Sequence, residues 1–263
     1  QLGLDDPLFV QYVDWLFDVA RLDLGDSLFL DQPVWSAIRE RLVPTMQLTL
    51  YSLIVAVCIA IPTGVVAALR RNSLVDRALM LFALAGSAIA DYFLGILLIL
   101  LFAVTLRWLP SGGYVGFRDD PIAHLESMLL PTLALGISIA GLPARMIRST
   151  MLDVLQEDYI RTALAKGLRP GAIAIGHALR NALLPAVTIF GTTIGDLLGG
   201  AVVVETVFSL PGLGQLVISS IARRDVPVIQ GVVMVSAAAY LLATLLAGLL
   251  YGALDPRLRH VKR

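Results

Sequence analysis

The chain has 263 residues, 57% of them hydrophobic and 15% charged, and its 20 basic and 20 acidic side chains leave no net formal charge. A mean hydropathy of +0.82 excludes a soluble domain of this length and places the chain in lipid. There the backbone finds no water to bond, so each span should be a helix of about 20 apolar residues.

In chain order, residues 1–44 read as an acidic segment of short surface helices. Asp5, Asp6 and Pro7 suit the cap of the first, and Val10, Val13, Trp15, Leu16 and Phe17 supply its apolar face. Five segments then qualify as spans. Thr45 to Leu69 and Val226 to Leu254 carry no charge, Ala78 to Leu106 carries only Asp91, Ala182 to Val204 carries only Asp196, and Met128 to Ala144 runs uncharged into Arg145. Pro110, Gly112, Gly113 and Pro121 mark a loop between the second and third spans, and Pro211, Gly212 and Gly214 mark another after the fourth. No linker or internal repeat divides residues 45–254, which form one membrane domain followed by a tail, 255–263. Cys58 lies inside an uncharged span and indicates packing rather than thiol chemistry.

Charge sets the orientation. The stretches Arg70 to Arg77, Arg145 to Asn181 and Asp255 to Arg263 hold 13 of the 20 Lys and Arg residues; the other side holds 13 of the 20 Asp and Glu residues, eight within the first 44 positions. By the positive-inside rule, 1–44 lie outside the cell and the C-terminus is cytoplasmic. The chain opens on Gln with no signal peptide, so a sixth, N-terminal helix is expected upstream.

The polar insert at about 152–184 is the most informative stretch. Leu152 to Lys166 suits an amphipathic helix, Gly167 a left-handed C-terminal cap, and Pro170 the first turn of a second helix reaching Leu184. Ala163 and Ala165 keep the elbow slim, and Glu157, Asp158, Arg161, Lys166 and Arg180 carry charge for orienting a docked surface.

Three carboxylates are candidates for a translocation pathway. Asp91 and Asp196 each fall near the middle of an apolar span, at an insertion cost of roughly 2.5–3.5 kcal/mol. Each either faces a cavity or bonds a neighbouring helix, the latter suiting small-residue packing around Gly195, Gly199 and Gly200. Glu205, at the end of its span, either reaches interfacial water or serves an outer gate. His124, His177 and His260 have no Cys or carboxylate at ligand spacing, so no metal site is expected. Gly171 and Gly176 precede His177 and Ala178 where a phosphate-binding loop needs Lys and Ser or Thr, and neither G-x-S-x-G nor H-E-x-x-H occurs, so no catalytic residue is expected.

Ala163, Ala165, Lys166, Gly167 and Leu168, followed by His177, Leu179, Arg180, Asn181, Ala182 and Pro185, resemble the EAA motif of ATP-binding-cassette (ABC) importer permeases. The form is that of the peptide and nickel branch, A-x-A-K-G-L and then H-x-L-R-N-A-x-x-P. Leu2 to Tyr12, Gly200 to Gly214 and Leu254 to Arg259 also resemble dipeptide and oligopeptide permeases, so the resemblance covers essentially the whole chain. Arg161, Thr162 and Ala163 stand where the general motif opens E-A-A, a departure usual in the peptide branch.

The resemblance implies an all-α, polytopic type I ABC importer permease in a bacterial-type inner membrane. It implies a non-catalytic translocation subunit for peptides, without a cofactor of its own and without nucleic acid as a partner. A second homologous permease, two cytoplasmic ATPase subunits holding ATP and Mg, and an extracytoplasmic binding protein would complete the complex. It assigns ATPase coupling to Glu157, Asp158, Arg161, Thr162, Ala163, Ala165, Lys166, Gly167, His177, Arg180 and Asn181. The alternative is a secondary transporter that couples ions or protons through Asp91 and Asp196, and such a carrier has no use for a docking hairpin.

Overall fold

Two helices among the described residues begin at a side-chain cap. Asp120 Oδ1 accepts from the backbone N–H groups of Ile122 and Ala123 at 2.9 and 3.1 Å, and Pro121 follows at the first helical position. Ser73 Oγ likewise accepts from the N–H of Asp76. The computed structural model describes residues 7–21, 23–165, 176 and 179–254. These form α1 (Leu8–Ala20), α2 (Val34–Leu69), α3 (Leu74–Ala88), α4 (Asp91–Leu98, continued by a π-helical stretch Ile99–Thr105), α5 (Pro121–Val154), α6 (Asp158–Ala165), α7 (Leu179–Gly200), α8 (Val202–Val207), α9 (Leu213–Arg223) and α10 (Val226–Leu254).

Three helices among the described residues, within α2, α5 and α10, are long and apolar enough to cross a bilayer. A fourth crossing requires α3 and α4 together, and they are bent by 103° at their junction. The expected continuous span from Ala78 to Leu106 is therefore corrected: Ile89 and Ala90 leave the helical conformation, and the chain restarts at Asp91. No proline causes this break, whereas α2 runs through Pro44 and Pro62, α5 through Pro131 and Pro143, and α7 through Pro185. The fourth expected span lies on α7 but ends at Gly200, and a turn at Ala201 separates it from α8. The first begins earlier than expected, because α2 starts at Val34 directly after Pro33.

Helix α5 is the hub, packing on α2, α3, α4 and α7. Small residues let these helices approach. A Cβ on Gly141 would lie 2.2 Å from the Ala83 carbonyl oxygen, and one on Gly64 would lie 2.7 Å from that of Ala144. The contacts of Gly141 with Ala83, Gly86 with Ile137 and Arg148 with Asp76 fix α3 antiparallel to α5.

Burial divides the bundle into two ends. At one, Ala56, Ala60, Ala140, Ala144, Ile147, Met151, Ala182 and Ala186 form a core of small side chains around a few large ones. This is also the basic end, where the α2–α3 turn carries Arg70 and Arg71 and the adjoining helices carry Arg77, Arg145 and Arg148. At the other end, Leu48, Met128, Leu130, Leu135, Val204 and Phe208 form a second core. A third cluster joins Val34 and Ile38 of α2 to Leu213 and Leu216 of α9 and Val228 and Val232 of α10. Ser27 Oγ donates to the buried Asp225 carboxylate at 2.5 Å, tying the segment before α2 to the start of α10. Helix α1 leaves Phe9, Tyr12, Leu16 and Phe17 exposed.

Candidate functional site

The polar insert departs from the single helix expected over Leu152 to Lys166. Helix α5 ends at Val154, the N–H groups of Gln156 and Glu157 bond back three residues to Asp153 and Val154, and α6 restarts at Asp158. Three-residue bonds tighten the last turn and redirect the chain. That redirection has a consequence for packing. Ile160, 2% exposed, enters the same buried cluster as Ile147 and Met151 of α5 and Ala182 and Ala186 of α7.

The opposite face of α6 is turned outward. Glu157 in the turn, and Asp158, Tyr159 and Thr162 on the helix, are exposed, and Thr162 Oγ1 donates to the Asp158 carbonyl oxygen at 3.0 Å. Arg161, Ala163 and Ala165 lie on α6, and Arg180 and Asn181 on the first turn of α7, with side chains outside the described residues. Lys166, Gly167 and His177 lie outside the described residues altogether, as does the expected elbow at Pro170. Among the described residues, the insert contributes a short helix after α5 with a buried anchor, Ile160, and a polar outer face.

At the same end, Arg148 forms a two-pronged ion pair with Asp76. Its Nε and Nη2 donate to the two oxygens of Asp76 at 2.6 and 2.7 Å, and the Asn72 N–H donates to the same carboxylate at 2.9 Å. The fork-to-fork geometry clamps the start of α3 to α5.

The three pathway candidates fall in different places. Asp91 is not in the middle of a helix; it opens α4 after the bend, half-buried, with Oδ1 accepting from the N–H of Tyr92 at 2.8 Å. A carboxylate there meets unpaired N–H groups and the positive end of the helix dipole, which offsets part of its cost. Asp196 is exposed on α7, and among the described residues it makes no hydrogen bond to a neighbouring helix. Its neighbour Gly195 faces inward instead, where a Cβ would come within 2.5 Å of the Tyr240 ring.

Glu205 does not reach interfacial water, as one reading expected. It is 1% exposed and lies beneath the start of α9. Thr45 Oγ1 of α2 donates to its Oε1 at 2.6 Å, and the N–H groups of Gly214 and Gln215 donate to its Oε2 at 2.8 and 3.2 Å. The Leu213 N–H donates to Thr45 Oγ1 at 2.9 Å. Three first-turn donors of α9 are thereby satisfied by side chains from outside the helix, two by Glu205 just upstream and one by the distant Thr45. A Cβ on Gly212 would fall 2.2 Å from this carboxylate, which explains glycine in the L-P-G-L-G run.

His124 is buried between Tyr51, Tyr114 and Phe117, all edge-on to its ring at 5.5 to 5.8 Å. Its Nδ1 lies 2.7 Å from the Val115 carbonyl oxygen and its Nε2 lies 3.3 Å from the Tyr51 hydroxyl. In the adjoining loop, burial holds the Tyr114 phenol above its ordinary pKa.

The three apolar crossings, or four with the bent pair α3 and α4, define a polytopic membrane protein. Residues 60–260 match the family described as binding-protein-dependent transport system inner membrane component, and the chain belongs to that family. It is 40% identical over 280 residues to the di/tripeptide transport system permease protein DppB of Pseudomonas aeruginosa (strain UCBPP-PA14), covering 99% of this chain and 83% of that one. It is 40% identical over 285 residues to the dipeptide transport system permease protein DppB of Escherichia coli (strain K12), covering 100% and 84%. The backbone has the type I ABC importer permease fold. It matches a structure of the inward-facing MetNI methionine ABC transporter with a TM-score of 0.69 at 19% identity, over 83% of this chain and 96% of that one.

Proposed function

We propose that this chain is a permease subunit of an ATP-driven peptide importer. With a second, homologous permease it forms the pathway, an extracytoplasmic binding protein delivers the peptide, and two separate ATPase subunits, holding ATP and Mg, dock on α6 from the cytoplasm. The single observation that carries the coupling role is the seating of Ile160. A partner that moves the polar face of α6 moves a side chain seated in the buried cluster that also holds residues of α5 and α7. Rigid-body motion of the docked ATPases is thus passed to two helices of the bundle, which rock between inward-open and outward-open states. Peptide biases that cycle only through unequal affinity for the two states.

The basic end is the cytoplasmic one in this reading, in accord with the positive-inside rule, and so is the C-terminus. Asp196 lines the pathway or the seam with the second permease, because a carboxylate exposed on an apolar helix is too costly to leave in lipid. Peptides are the favoured cargo because the relatives named above carry di- and tripeptide names. The ion-coupled alternative needs Asp91 and Asp196 as intramembrane carriers; the place of Asp91 at a helix start speaks for a local structural use instead.

The test is uptake of labelled di- and tripeptides into proteoliposomes holding the full transporter and its binding protein. Uptake should require ATP, and Gly167→Trp should leave ATP hydrolysis running while uptake falls about tenfold or more, or else prevent the ATPases from assembling. Uptake driven by an ion gradient without ATP would refute the proposal.

A further inference from the structure

We propose that the groove between α3 and α5 at the basic end binds an anionic phospholipid, with the phosphate between Arg77 and Arg145 and an acyl chain along Leu81 and Leu84. The groove has a volume of about 580 Å³ and is lined by Arg77, Met80, Leu81, Leu84, Arg145 and Arg148. Its chemistry is graded along its length. The antiparallel register sets Asp76 against Arg148 and Ala83 against Gly141, so Arg77 and Arg145 stand at the end of the bundle and Leu84 lies towards its middle. Arg77, Leu81 and Leu84 follow the i, i+4, i+7 spacing of one helix face, a rise of about 10 Å. A charged head and an apolar tail of that order describe a membrane lipid rather than a soluble anion.

The positive charge is only partly offset: besides its pairing with Arg148, Asp76 interacts electrostatically with Arg77. Asp76 is committed to Arg148 through two short bonds, and among the described residues neither Arg77 nor Arg145 makes an ion pair. Arg145 Nε donates to the Gly141 carbonyl oxygen at 3.3 Å, its one hydrogen bond among the described residues. Arg70 and Arg71 in the α2–α3 turn add to the positive field. This end of α3 is also bare: Leu74 is 81% and Leu81 65% exposed. Basic pockets between helices at a membrane surface select anionic headgroups, each arginine contributing about a fivefold gain in affinity. Such a lipid would lie against the Asp76–Arg148 clamp and brace the crossing of α3 and α5.

The assembled transporter, stripped of lipid and titrated with phosphatidylglycerol or phosphatidylethanolamine under native mass spectrometry, tests this. Phosphatidylglycerol should bind about 25-fold more tightly than phosphatidylethanolamine, and Arg77→Ala with Arg145→Ala should abolish that preference. The pair Arg77→Lys and Arg145→Lys should keep the preference. Leu84→Trp, which fills the apolar half of the groove, should weaken both lipids without changing thermal stability, and it carries the test if the alanine pair does not assemble. Equal binding of the two lipids to the unaltered transporter, a preference that survives the alanine pair, or displacement of phosphatidylglycerol by millimolar inorganic phosphate would overturn the proposal. So would cross-linking of Leu81→Cys to the second permease, since a protein would then cover the groove.

Discussion

Thr45 and Glu205, 160 positions apart, meet at 2.6 Å and together close the first turn of a third helix. Removing either leaves buried donors at the start of α9 without acceptors, at about 1–3 kcal/mol for each unsatisfied group. Glu205→Ala should therefore lower the thermal unfolding midpoint of the detergent-solubilised transporter most, Thr45→Val less, and Glu205→Gln least, since the amide oxygen can still accept from Gly214 and Gln215. The double change Thr45→Val with Glu205→Ala should cost less than the sum of its parts. Strictly additive effects, or an alanine variant as stable as the parent, would show that these bonds do not hold α9.

A second clamp works at the basic end. Asp76 is nearly buried, so truncating it to Ala strands the Arg148 guanidinium and should destabilise the bundle by about 3 kcal/mol. Arg148→Lys keeps the charge but loses the two-pronged geometry and should not restore full stability. The paired variant Asp76→Ala with Arg148→Ala should recover part of the loss. Thermal unfolding of all three variants decides the matter; a lysine variant indistinguishable from the parent would mean that charge alone suffices.

The two aspartates expected within apolar spans should behave differently. Asp91→Asn retains a side chain able to accept at the start of α4, and transport should change by less than about twofold. Asp196→Asn removes a charge from an exposed position on α7, and peptide uptake should fall roughly tenfold with normal assembly, the loss expected of one interaction worth about 1.4 kcal/mol. Peptide-stimulated ATP hydrolysis measured alongside uptake distinguishes them. An Asp196→Asn transporter with unchanged uptake and substrate preference would remove that residue from the pathway.

Ile160 should couple rather than merely stabilise. Ile160→Ala opens a void in the cluster it shares with Met151 and Ala182, so α6 can move without carrying α5 and α7. Uptake per ATP hydrolysed should drop several-fold in transporters that still bind their ATPases, and Ile160→Leu should recover most of it. If Ile160→Ala lowered hydrolysis and uptake in the same proportion, the anchor would be structural only.

The sequence made the spans legible because a run of about 20 apolar residues has few other stable uses. It also marked two loops that the structure keeps, through Pro110, Gly112 and Gly113 and through Pro211 and Gly212. The bend between α3 and α4 was hidden, since Ile89 and Ala90 carry no breaker signal; Asp91, read as an intramembrane charge, was in fact the first residue of a new helix. The partners of Arg148, Glu205 and Asp225 were beyond reach for another reason. Asp76, Thr45 and Ser27 lie 72, 160 and 198 positions away, and only tertiary packing brings them together. Gly212 and Gly214 hinted that something approaches closely there, without saying that it was Glu205.

The claim that α6 is the ATPase dock is tested most directly by site-specific cross-linking in the assembled transporter, with Cys58 replaced by Ser. A cysteine at the exposed Thr162 should form an adduct with an ATPase subunit, with a yield that changes on adding ATP. A cysteine at the exposed Ile218, at the opposite end of the bundle, should form none. An ATPase adduct from Ile218→Cys and none from Thr162→Cys would contradict the account.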